Sequence, residues 1–179
     1  MNNTINRKDI IVLDTETTGL GDDAVVCEIA IIDGFGNTLL NSLVDPMAEI
    51  PDGAIAIHGI TNEMVKGQPT FHEILPKVKS IISGRTLCIY NADYDLRIIS
   101  QSISFEQLLW NRITDSICVM KDYAEYYGEV NYYGDFKWQK LVNACEQQGI
   151  DTSKFNAHRA LADCQMTLAL MNKFMVIEG

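Results

Sequence analysis

The segment Ile10-Ile11-Val12-Leu13-Asp14-Thr15-Glu16-Thr17-Thr18-Gly19-Leu20 carries a contradiction. Its first four residues are apolar without a break, which suits a strand covered on both faces. Such a strand should not end in two acids. Because side chains alternate along a strand, Asp14 and Glu16 point to the same face. Two carboxylates on one face repel unless a cation lies between them or one is protonated. Thr15, Thr17 and Thr18 add hydroxyls, and Gly19 supplies a turn. Taken alone, the segment fits equally well a strand running out into a polar turn and a strand delivering acids to a site.

The surrounding composition narrows the classes. A chain of 179 residues allows one domain with a sizeable core, expected over residues 10–179 behind a polar tail at 1–9. No apolar run approaches the ~20 residues that cross a bilayer, and the N-terminus lacks the apolar region of a signal peptide. The five cysteines are scattered and form no CxxC pair, so neither a zinc site nor a disulfide framework is expected. An intracellular, cytoplasmic location fits those thiols. The net charge of −10 argues against gripping long duplex DNA through phosphates, which needs a basic face. An enzyme that holds a few nucleotides through bound cations remains compatible with it.

Outward from the first strand, Ala24–Ile32 reads as a second apolar strand with Glu28 as its one interior charge. Asp33-Gly34-Phe35-Gly36-Asn37 is a turn, and Thr38–Val44 a third strand, so strands one to three form an antiparallel meander. An irregular crossing marked by Pro46 and Pro51 leads to His58-Gly59-Ile60-Thr61, and Thr61 caps a short helix from Asn62. A longer helix spans Thr70 to Ile82, with Pro76 inside it. Thr86–Tyr90 is a fourth strand, followed by a helix from Asn91 to about Ile103. A fifth strand at Arg112–Asp115, a helix from Ser116 to Tyr127, and helices at Phe136–Gln148 and Ala157–Met175 complete the chain. The expected fold is an α/β mixed sheet, an antiparallel meander plus parallel strands, flanked by helices. Groups at the carboxyl ends of neighbouring strands then converge in a crevice.

Asp14 and Glu16 end strand one, Asp95 follows strand four, and Asp163 lies in Ala157-His158-Arg159-Ala160-Leu161-Ala162-Asp163, read as helix. Four converging carboxylates require cations, because buried charges must be paired or ligate metal. An all-oxygen set points to two divalent ions, Mg²⁺ or Mn²⁺, the usual device for phosphoryl displacement. His158 is a nearby group able to take a proton near neutrality.

Asp14-x-Glu16, Asn91-Ala92-x-Tyr94-Asp95 and His158-x-x-x-x-Asp163 closely resemble the three motifs of the DEDDh 3′–5′ exonucleases. This family includes the proofreading subunit of bacterial replicative polymerase, RNase T and oligoribonuclease, all on an RNase H-like fold. The resemblance runs from Ile10 to about Met171 and takes in Glu28-Ile29, His58-Gly59-Ile60-Thr61, Thr114-Asp115 and Lys140-Leu141. A sister group places tyrosine where this chain has Arg159, and Tyr94 stands where the family usually has Phe.

The resemblance implies that Asp14 bridges two metals, that Glu16 and Asp163 hold the nucleophile-side ion, and that Asp95 serves the other through water. His158 would be the general base, and nucleoside 5′-monophosphates would be released from a 3′ end. Thr15, Thr17, Leu20, His58, Ile60, Asn91 and Tyr94 would hold the last nucleotide. The implied partner is a single-stranded 3′ end, DNA ahead of RNA, and the resemblance leaves a DNA polymerase or a second copy of the chain open as protein partners. RNA 3′-end trimming and a polymerase-associated binding module with a vestigial site are the alternatives.

Other residues have plainer expectations. His72 reads as helix surface, Asp93 and Asp115 as helix caps. Tyr123 to Trp138 is rich in aromatics, which either pack onto neighbouring helices or stack on unpaired bases.

Overall fold

Ile10, Ile11, Val12 and Leu13 are fully buried, and they open the strand from which the sheet grows. The computed structural model describes residues 5–103 and 116–179. In chain order its strands are β1 (Ile5–Asn6), β2 (Ile10–Thr17), β3 (Val26–Asp33), β4 (Thr38–Leu43), β5 (Thr86–Ile89), β6 (Ser116–Cys118) and β7 (Ile177–Glu178). Its helices are α1 (Asp52–His58), α2 (Asn62–Val65), α3 (Phe71–Ile82), α4 (Ala92–Gln101), α5 (Val119–Tyr127), α6 (Leu141–Gln147) and α7 (Ala160–Phe174).

The main sheet runs β4-β3-β2-β5-β6. The β2–β3 and β3–β4 pairs are antiparallel, and the β2–β5 and β5–β6 pairs are parallel. This is the expected meander plus parallel strands.

Alternation along β2 sorts the two cores. Ile11 and Leu13 pack with Leu75, Val78, Ile98 and Ile99 of α3 and α4. Ile10 and Val12 pack on the other face with Cys164, Leu168 and Met171 of α7, beside residues of α5 and α6. The same alternation carries Asp14 and Glu16 to the α7 face and Thr15 and Thr17 to the α4 face.

Several boundaries differ from the sequence reading. The crossing after Pro46 contains α1, with Pro51 before it and Gly59 at φ 71 after it. Seven residues are too few to show helical periodicity, and only the Pro-before, Gly-after punctuation marks them. The helix expected from Ser116 begins at Val119, because Ser116–Cys118 pair in parallel with Leu87–Ile89. The one expected from Phe136 begins at Leu141, because Phe136 bridges Val130 and Lys137 N–H donates to the Glu129 carbonyl. The strand expected at 112–115 and the Asp115 cap lie outside the described residues. Thr70 and Glu73 form a reciprocal cap at the start of α3, and the helix continues through Pro76.

The stretch expected as a tail is engaged from residue 5 onward. Ile5–Asn6 pair in parallel with Ile177–Glu178. Arg7 donates to the Gly34 carbonyl at 2.7 Å and to Asn172 of α7 at 2.9 Å. The backbone passes so close to Gly34 that a Cβ there would lie 2.2 Å from the Arg7 carbonyl oxygen. Gly34→Ala is therefore expected to lower stability by about 1–3 kcal/mol by displacing the 5–9 segment. Urea unfolding would read this, and an unchanged midpoint would show that the segment contributes no stability.

Candidate active site

The polar end of β2 sits between α4 and α7, and each helix brings one acid to it. Carboxylate oxygens of Asp14, Glu16 and Asp163 lie within 4.8 Å of one another. Asp95, buried in the first turn of α4, comes to β2 from the other face. Its Oδ1 accepts from the Thr15 backbone N–H at 3.2 Å and the Thr15 hydroxyl at 2.7 Å. Asp93 does not act as the expected cap: its carboxylate pairs with Lys121 at 2.6 Å on the surface.

The electrostatics follow from crowding acids in a place poor in water. Burial pushes Asp14 well above its usual range, and the charges of Asp95, Asp163 and Glu16 push the same way. Burial, then Asp163 and Glu28, raise Glu16 to about 8, while Arg159 pulls it down. Burial raises Asp95 to about 7 against the opposing hydrogen bonds from Thr15. Asp163 rises to about 6, again through burial and against the His158 N–H that it accepts. Four acids that resist ionisation together form a site suited to divalent cations, and every donor is oxygen.

His158 departs from the expected helix. It precedes α7 with φ 64, a left-handed backbone uncommon for a residue with a Cβ and worth about 1–3 kcal/mol of strain. Its N–H donates to Asp163 Oδ1 at 3.2 Å, and its exposed ring lines the hollow beside Asp163. Histidine at the end of a helical pattern gives no sequence sign of this conformation.

The site opens into a cleft of about 550 Å³ lined by Thr15, Thr17, Leu20, His58, Asn91 and Tyr94, with Ile57 of α1 completing its rim. Leu20 is 80% exposed there. Tyr94 uses the hydroxyl that its family counterpart lacks, meeting Thr17 Oγ1 at 2.6 Å and the Gly19 carbonyl at 2.9 Å. His58 is buried; its Nδ1 accepts from Ile60 N–H at 3.0 Å, which leaves Nε2 to donate to the Thr17 carbonyl at 3.3 Å. Burial holds its pKa below the usual value. Both ring nitrogens are thus occupied in bracing the end of β2. Ile60 does not line the cleft: it is fully buried with Cys27, Ile50 and Val65.

A second hollow, of about 650 Å³, extends past His158 and Asp163 to Trp138 and Lys140. The aromatic segment divides here. Tyr123 is fully buried and packs on Tyr126, Tyr127 and Phe174. Tyr132 and Trp138 are 96% and 61% exposed.

Residues 11–171 match the family described as Exonuclease. The chain belongs to the exonuclease family. It is 46% identical over 92% of its length to an uncharacterized exonuclease of Escherichia phage 186, covering 87% of that protein. It is 32% identical over 87% of its length to the DNA polymerase III subunit epsilon of Pasteurella multocida, of which it spans 64%. Exonuclease X, solved in complex with 5′ overhanging duplex DNA, aligns over 91% of both chains at 27% identity with a TM-score of 0.65. Escherichia coli exonuclease I superposes at 0.72 and 18% identity over 40% of its chain, a likeness of fold. The exonuclease thus carries the RNase H-like sheet that its motifs implied, and among the described residues no helix is long and apolar enough to cross a membrane.

Sequence reasoning missed Arg159. The signal was Glu28, a lone charge inside an apolar strand. In the structure Glu28 is 2% exposed and is gripped by the Arg159 guanidinium.

The crowded acids set the pH dependence of the metal-free protein. Each has a folded-state pKa above its unfolded one, so the folded chain binds more protons and stability falls as pH rises. For Glu16 the window runs from 4.5 to about 8. With EDTA, Tm is expected to fall between pH 5 and 8, and Mn²⁺ to restore it most at the high end. A Tm in EDTA that holds level across this range would show that the acids are not strained by one another.

Proposed function

We propose that this exonuclease removes nucleotides from the 3′ ends of single-stranded or frayed DNA with two divalent cations, Mg²⁺ or Mn²⁺. The observation that carries the reading is the approach of Asp14, Glu16 and Asp163 to within 4.8 Å, with Asp95 fastened beside them by Thr15. These four residues would hold the cations, which when bound stabilise charge on the attacking and departing oxygens of a phosphodiester.

The chain's own groups do the rest. His158, exposed beside Asp163, takes a proton from the attacking water. The water oxygen bonds to phosphorus, the P–O3′ bond breaks, and the departing oxygen gains a proton from solvent. The released nucleotide keeps its 5′-phosphate, and the shortened strand ends in a 3′-hydroxyl. Leu20 and Ile57, exposed apolar residues of the cleft, take the last base, while Thr15, Thr17, Asn91 and Tyr94 face its sugar. The preceding nucleotides follow the second hollow past Lys140 and Trp138.

DNA is favoured because the polymerase III relative is named for DNA and exonuclease X was solved in complex with it. Work beside a DNA polymerase extends the same reading.

The test is mononucleotide release from matched DNA and RNA oligonucleotides, single-stranded and duplex, with Mg²⁺, Mn²⁺ or EDTA. Stepwise, EDTA-sensitive loss from the 3′ end of DNA is expected. Faster release from RNA would make the chain a trimming enzyme, and 5′ mononucleotides lost first would reverse the polarity. Asp14→Ala should abolish release in a folded protein. His158→Ala should cost about 10²–10⁴-fold in kcat. Calorimetry should find its Mn²⁺ binding intact, and loss of that binding would place the histidine among the ligands. Trp138→Ala should weaken single-strand binding by about 1–3 kcal/mol. Unchanged affinity would remove the ring from the strand's path.

A further inference from the structure

Glu28 lies inside an apolar strand, opposite Glu16 in the β2–β3 register and on the same face. An acid there should be expelled or protonated unless it is fully paired. It is fully paired. Arg159 Nε lies 3.2 and 3.1 Å from its two oxygens, and Arg159 Nη2 makes a further bond to Oε1. Glu28 Oε2 also accepts the backbone N–H of Ala160, the first residue of α7, at 2.9 Å.

The clamp falls on the two residues that follow His158. From the other side, Asp163 Oδ1 accepts the His158 N–H at 3.2 Å, and the Asp163 N–H donates to the Arg159 carbonyl at 3.0 Å. A left-handed non-glycine residue persists only where its surroundings over-determine it. Here they do so from both directions: the sheet holds the chain after His158, and the metal-site acid holds His158 itself.

We propose that Glu28 and Arg159 are positioning residues for the reaction, anchoring the start of α7 to β3 so that His158 keeps its left-handed backbone and Asp163 its place beside Asp14 and Glu16. The proposal rests on the role given above to His158. The guanidinium also neutralises Glu28, which would otherwise be one more anion against the cluster. A lysine can replace that charge but not the two-pronged grip, since its ammonium is a single point donor.

The test uses Arg159→Lys and Glu28→Gln in the full chain, with two readouts. One is steady-state release from single-stranded DNA in Mg²⁺. The other, made on the metal-free protein, is the backbone amide resonance of His158 and the exchange rate of the Ala160 amide. In both variants kcat is expected to fall about 10–100-fold with KM within threefold, as a displaced proton acceptor requires. The His158 resonance should move away from its wild-type position and the Ala160 amide should exchange faster. A kcat within twofold of wild type in a folded variant would overturn the proposal and leave the pair as a structural staple. An unmoved His158 resonance would overturn it equally. If Arg159→Lys does not fold, Glu28→Gln, which keeps its shape, decides. Should the wild-type chain release no nucleotide, the role of His158 fails, and the amide readouts still decide whether the pair holds its backbone.

Discussion

Mutual repulsion among four carboxylates at the end of β2 is the constraint around which this molecule is built. A strand as apolar as Ile10–Leu13 can end in Asp14 and Glu16 only if the opposing elements bring something to offset them, yet α4 and α7 bring two more acids. Burial raises all four, and charges of the cluster raise Asp14, Glu16 and Asp95 further. The fold offsets part of this internally. Thr15 gives Asp95 two hydrogen bonds, His158 gives Asp163 one, and Arg159 balances Glu28 next to Glu16. The remainder is a demand for positive charge that divalent cations could meet, and the proposed function rests on it.

The two sides of the site are prepared differently. Asp95 is buried at the first turn of a helix and bonded by both the backbone and the hydroxyl of its neighbour in β2, so its place is set by the core beneath it. Asp163 is half-buried, and it is held through a residue with φ 64 whose ring is exposed. Rigid placement suits a group that only holds charge. A looser one suits the role proposed for His158, which would take a proton in contact with solvent.

What could be read without coordinates follows the range of the forces involved. Burial on both faces of a strand leaves an unbroken apolar run, and helices of ten residues or more leave a period, so β2, β3, α3 and α4 were legible. The acids were legible only together: Asp14 and Glu16 alone fit a plain polar turn as well, and Asp95 and His158-x-x-x-x-Asp163, in order along the chain, decided between the readings. The helix α1 was not: it is too short for periodicity, and its rim residue Ile57 looked like any apolar residue in a loop. The turn at His158 was hidden for another reason. Part of what holds the chain there is Glu28, 130 positions earlier, which bonds the two residues that follow His158, and no local preference records a partner at that distance. Ile60 shows the converse. Its place in the motif suggested contact with substrate, whereas the core around Cys27 and Val65 claims its side chain and only its N–H serves the site, through His58.

A net charge of −10 is the physical complement of this design rather than an obstacle to it. Among the described residues that line it, the bare cleft has one carboxylate, Glu16, and no lysine or arginine, so it offers a phosphate no fixed cation. Cations held by the carboxylates would offset the charge a phosphate meets, so in the proposed function holding substrate and enabling chemistry would depend on the same event. A protein that instead gripped nucleic acid through a broad basic face would bind anywhere along a duplex. A protein that attracts phosphate through cations in the cleft at the end of β2 would hold a strand where a terminal nucleotide can enter. Specificity for an end, in the proposed function, would need no separate device beyond the crowded acids and the apolar Leu20 and Ile57 of the cleft beside them.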